Sequence, residues 1–162
     1  AREAKLSLDF YQALLAIYNA QVKSLVQQRP GAAAPAEDIL SLSLEKGGTS
    51  VLADGYLVAG ALGPADEEFC FGFGTFLQLA DDLQDIAEDA RSGHRTLFSA
   101  GNRPDPLDAG VLRLESYLAT VLEKTRRAAT PARSALCDAI GGGLGLMFRE
   151  SVGKRRGFYG RA

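Results

Sequence analysis

The chain has no tryptophan, one methionine, one histidine and two cysteines in 162 residues. A single histidine, His94, leaves little room for an imidazole-ligated metal centre, and no Glu-x-x-His pair of the di-iron bundle type exists. Cys70 and Cys137 stand alone, which argues against a disulfide framework and for a reducing, cytoplasmic setting in which both thiols act as small buried hydrophobes. No apolar run reaches the ~18 residues of a membrane span. The opening residues "AREAKLSLDF" have neither the apolar core nor the small-residue cleavage site of a signal peptide. With a formal net charge of −2, the chain lacks the basic field that nucleic-acid binding needs. There is no internal repeat, no coiled-coil heptad and no alternating strand pattern. The start at Ala1, without Met and already in helical rhythm, reads as a piece of something longer.

What is present is enough apolar residue, 46%, to build one domain over 1–162. The rhythm is helical throughout. Leu6, Phe10, Leu14, Ile17, Val22 and Leu25 make an amphipathic stripe in a first helix. "RPGAAAPAED" stops it, and a second helix starts near Pro35–Asp38 and runs past Gly47-Gly48, where an interruption or kink is expected. Pro64 and the acids Asp66, Glu67 and Glu68 open a third helix that Gly93 closes. After the polar loop "SAGNRPDPLDAG", a fourth helix covers about Leu107–Ala129, and Pro131 separates it from a last one. Gly141, Gly142, Gly143 and Gly145 in that last helix suggest crowding or a kink. The class is all-α, a helical bundle.

The chemistry concentrates in "FLQLADDLQDIAED", Phe76–Asp89. On a wheel at ~100° per residue, Gln78, Asp81, Asp82, Asp85, Glu88 and Asp89 share an arc of roughly 120°. Phe76, Leu79, Ala80, Leu83, Ile86 and Ala87 lie opposite, as a core face. A merely solvated face would mix signs in i,i+4 pairs, yet no Lys or Arg occurs between Asp66 and Arg91. Asp81–Asp85 and Asp85–Asp89 each repel by a few tenths of a kcal/mol. A divalent cation would compensate, and oxygen-only ligands favour Mg2+ bridging carboxylates to a phosphate.

These residues carry a resemblance. "FGFGTFLQLADDLQD" looks like the second aspartate-rich motif of the trans-isoprenyl diphosphate synthases, with Gln78, Asp81, Asp82 and Asp85 at motif positions. "LEKGGTSVLADGYLVAGAL" is similar to that family's Lys-Thr helix, with Lys46 at the lysine. "AIYNAQVKSL" is a fainter echo of the preceding element, and "ARSGHRTLFS" resembles the segment after the Asp motif. The resemblance implies an isoprenoid synthase-like bundle around an apolar cavity, of which this chain is only the second half, since no earlier aspartate-rich motif occurs. It implies Mg2+-dependent ionisation of an allylic prenyl diphosphate, for prenyl transfer or terpene synthesis. Asp81, Asp82 and Asp85 would hold metal, with Asp82 on the flank of the site. Lys46, Gln78 and Arg95 would hold diphosphate, and Lys46, Asp81 and Asp85 would be catalytic. The implied partner is a second copy or the missing N-terminal half. The basic residues Lys154, Arg155 and Arg156 offer either a closing tail or a solvated terminus. Two alternatives stand beside this reading. One is a non-catalytic synthase-like subunit. The other is an all-α nucleotide pyrophosphohydrolase using Glu67 and Glu68 with Asp82 and Asp85.

Overall fold

A computed structural model describes residues 8–25, 36–99, 107–127 and 130–154. The connection at 26–35, the polar loop at 100–106, and the tail from 155 onward with Arg155 and Arg156 lie outside the described residues, as does the Lys154 side chain. Six helices and no strand make up the described chain: α1 (Leu8–Ser24), α2 (Ala36–Ala59), α3 (Pro64–Gln84), α4 (Ile86–Ser92), α5 (Asp108–Arg127) and α6 (Pro131–Lys154). No described helix is long and apolar enough to cross a membrane.

Helix α3 is the axle. It packs against α2, α5, α4 and α6, while α1 rests on α2. Its first turn follows from sequence: Gly63 is the N-cap, Pro64 costs no hydrogen bond at the start, and Asp66 and Glu67 oppose the dipole. Phe76, Leu79, Ala80, Leu83 and Ile86 are buried as the wheel requires, joined by Phe98, Leu114, Leu118, Leu122, Cys137 and Phe148 in the main core. Burying a side chain such as Phe76, 1% exposed, is worth about 1.5–3 kcal/mol. Gly93, at φ 75°, closes α4 in the left-handed conformation that glycine adopts freely.

Several expectations change, the first being that the third helix ends at Gln84 and Gly93 closes the separate α4. Helix α2 runs unbroken through Gly47-Gly48. Those glycines serve contact: a Cβ on Gly47 would sit 2.5 Å from Gln78 Cβ and against the Gly74 carbonyl, and one on Gly74 would sit 2.9 Å from Val51 Cβ. Removing both Cβ atoms lets the two backbones touch. The last helix is likewise unbroken, and crowding appears only at Gly141, whose added Cβ would lie 3.1 Å from Leu122 Cδ1, while Gly142 and Gly143 face open space.

Helix α1 turns differently from the expected stripe. Its buried residues are Phe10, Ala13, Ala20 and Ser24, with Ile17 partly covered, whereas Leu14, Val22 and Leu25 are exposed. Small side chains win the inner face because they let α1 lie close on α2, where Ala53 and Tyr56 complete a second small core.

Candidate functional site

The α2–α3 hairpin sets which residues meet. Three polar contacts across it fix an antiparallel register. Near the turn, the Tyr56 hydroxyl donates to Glu67. In the middle, Thr75 Oγ1 donates to the Leu44 carbonyl at 3.3 Å, beside the Gly47–Gly74 contact. At the far end, Ser43 Oγ donates to Asp82 Oδ2 at 3.0 Å. Lys46 therefore stands level with the Gln78–Asp82 turn, although more than 30 residues separate them in the chain. The Lys46 charge acts on the Asp82 carboxyl.

Asp82 is the inward member of the acidic group. It is 6% exposed and bonded at both oxygens, to Ser43 and to Gln78 Nε2, which donates at 2.7 Å. Burial pushes its carboxyl above the usual range, while the Gln78 and Ser43 hydrogen bonds and the Lys46 charge pull it back. Both Asp82 oxygens, expected to hold metal, are instead occupied by the Ser43 and Gln78 donors.

Asp81 and Asp85 are exposed. Asp81 lines a cleft of about 390 Å³ with Ser50, Gln78 and Gln84, bounded by the Gly47–Gly74 contact and Met147. Asp85 is not among its lining residues. The wheel also did not foresee a break here: Asp85, at φ −93° and ψ 7°, ends α3 and caps α4. Its N–H donates to the Asp81 carbonyl at 2.9 Å, and its carbonyl accepts from the Glu88 and Asp89 N–H groups. The carboxylates still crowd. Asp89 is pushed up, first by partial burial and then by Asp85, Asp81 and Glu88, against an opposing pull from His94. Among the described residues, however, no three His, Cys, Asp or Glu side chains converge in a metal-holding arrangement.

Arg95 is half-buried just past Gly93, in a segment knotted by its own hydroxyls. Ser99 Oγ accepts from the Thr96 N–H at 2.8 Å and donates to the His94 carbonyl at 2.7 Å, and the Ser99 N–H returns a bond to Thr96 Oγ1. Phe98 anchors this knot in the core. Both thiols are free: Cys137 is buried as a small hydrophobe, whereas Cys70 is only half-buried, and that burial pushes its thiol up.

Sequence reasoning missed a larger groove of about 870 Å³ between α1, α3 and α5, floored by Gly72, Phe69 and Val121. Ion pairs edge it, Glu68 with Lys124 and Asp66 with Arg133. Glu67 is bonded to Tyr56, which this hydrogen bond and then burial push up to about 12. The pyrophosphohydrolase arrangement fails here. Glu67 and Asp82 are fifteen residues apart on one helix, which is roughly 22 Å and too far to share a metal ion.

Comparison with known protein families, with characterised proteins and with solved structures gives no match to this chain.

Proposed function

We propose that the chain supplies the lysine- and aspartate-bearing half of a Mg2+-dependent site for an allylic prenyl diphosphate, of the isoprenoid synthase kind. The observation that carries this is the hairpin register. It sets Lys46 of α2 level with Gln78 and Asp82 of α3, with Asp81 on the adjoining cleft. With Asp82 held by Ser43 and Gln78, the carboxylates open to solvent beside it are Asp81 and Asp85. Two exposed carboxylates without nitrogen or sulfur donors suit Mg2+, which keeps waters and shares itself with phosphate oxygens.

Bound there, Mg2+ would offset the charge gathering on a departing diphosphate. Lys46 contributes a mobile point charge for diphosphate oxygens. Gln78 holds Asp82 in place, so that the lysine faces a fixed carboxylate. Arg95, on the knotted segment after α4, is the second cation proposed for the diphosphate. The remaining metal ligands belong to a further acidic helix, supplied by another part of the protein or by another chain.

Titration calorimetry with Mg2+ and inorganic pyrophosphate tests the reading. Uptake of pyrophosphate that needs Mg2+, weakened at least tenfold by Lys46→Ala and by Asp81→Asn/Asp85→Asn, is the expected result. Binding that is absent, or indifferent to all three changes, overturns it. A second reading is a synthase-like subunit that supports an active partner, favoured by the Asp82 carboxylate being tied at both oxygens to Ser43 and Gln78. Turnover of a labelled allylic diphosphate by this chain alone would exclude that.

A further inference from the structure

Lys46 is kept clear of the acids around it. Ser43, Lys46, Gly47 and Ser50 recur at intervals of three and four, so they share one face of α2. That face meets α3: Ser43 bonds Asp82, Gly47 lies against Gly74, and Ser50 lines the Asp81 cleft. Lys46 is half-buried there, and its charge acts on the Asp82 carboxyl. Yet it forms no ion pair with Asp82 or with any other described carboxylate. The acids at hand are engaged elsewhere. Asp82 Oδ2 accepts from Ser43 Oγ at 3.0 Å and Oδ1 from Gln78 Nε2 at 2.7 Å, the acceptor-only pattern of an ionised carboxylate. Glu45, next to Lys46 in the chain, is paired with Lys23 of α1 at 2.7 Å.

We propose that Ser43 is a positioning residue of the diphosphate site: by holding Asp82 Oδ2 it denies that carboxylate to Lys46 and leaves the ammonium available to phosphate oxygens. This rests on the diphosphate reading of the cleft and adds to it a residue outside the acidic stretch. Ser43 is 3% exposed and does not line the cleft, so its hydroxyl acts through Asp82 and not on a ligand. Without that hydroxyl, Oδ2 becomes a buried acceptor lacking a donor, which is costly to leave unmatched. Lys46 is the cation whose charge already reaches it, and a half-buried ammonium gains by pairing with a carboxylate in such a setting. An Asp82–Lys46 pair would then form, and an arriving phosphate would meet a lysine whose charge is already compensated.

Titration calorimetry of the 162-residue chain with inorganic pyrophosphate in excess Mg2+ tests this. Ser43→Ala should weaken uptake about tenfold, the scale of one hydrogen bond to a charged group. Far-UV circular dichroism should keep its helical signal, because alanine is the better helix former and adds no atom. Ser43→Ala/Asp82→Asn, in which position 82 has no charge to pair with the lysine, should recover to within about threefold of the parent. A role confined to bracing α2 on α3 predicts the reverse, since the double variant has lost more of the brace. Uptake by Ser43→Ala that equals the parent's, or a loss that Asp82→Asn does not recover, overturns the proposal and leaves the diphosphate reading standing. A parent that takes up no pyrophosphate with Mg2+ overturns both.

Discussion

Asp82 shows how one carboxylate can look like a ligand in sequence and act as a brace in space. Its oxygens accept from Ser43 on α2 and Gln78 on α3, so it ties the two helices together beneath the exposed acids. Asp82→Ala would strand both donors at a buried position, at a cost of about 1–3 kcal/mol. Asp82→Asn keeps an acceptor for Gln78 and can donate to a rotated Ser43 hydroxyl, so urea unfolding should place it within about 1 kcal/mol of the parent. An Asp82→Ala variant as stable as the parent would show that the brace contributes nothing. Tyr56 allows a pH test. Its hydroxyl donates to Glu67, and that bond, followed by burial and the Glu67 and Asp9 charges, pushes its ionisation up to about 12. A proton held more tightly in the folded state stabilises it. That contribution is complete below the free-tyrosine value near ~10 and is lost as pH rises through about 12. Ultraviolet titration should show a tyrosinate step near 12 that Tyr56→Phe removes and Glu67→Gln moves down. A late step that persists in Tyr56→Phe would refute the assignment.

At the scale of helices, glycine has two uses here, and they predict opposite signs. At Gly47 and Gly74 the backbones of α2 and α3 touch, and an added methyl meets a carbonyl that cannot move aside. Gly47→Ala or Gly74→Ala should therefore destabilise by at least about 1–3 kcal/mol, and loosen the register that sets Lys46 opposite Gln78. Gly142 and Gly143 sit in α6 with helical neighbours and open space beside them, so alanine should stabilise by about 0.5–1 kcal/mol at each. Thermal denaturation of the Gly142→Ala/Gly143→Ala double variant should rise by a few degrees, while either crossing variant falls. Sequence displayed all of these glycines alike. Helix propensity is local, whereas the cost of a Cβ depends on which other backbone stands nearby, and only the folded hairpin supplies that neighbour.

The same distinction runs through the whole molecule. The core face of α3 was legible because one side of it is apolar and the other acidic, so the 3.6-residue period has a single solution. Helix α1 was not, because it is apolar on both sides: Phe10 and Ile17 turn inward with alanines, and leucines, tyrosines and Val22 turn outward. The break at Asp85 was hidden for another reason, since no glycine or proline marks it. What the fold distributes unevenly is support. Helix α3 is gripped by four neighbours and contributes much of the main core, whereas α1 is held by one helix through small side chains. Local opening follows such differences in burial. Amide hydrogen exchange should therefore give α3 the slowest protons, approaching global unfolding, and α1 faster ones. Protection of α1 that equals that of α3 would mean that its grip on α2, through small side chains alone, holds the helix as firmly as four neighbours hold α3.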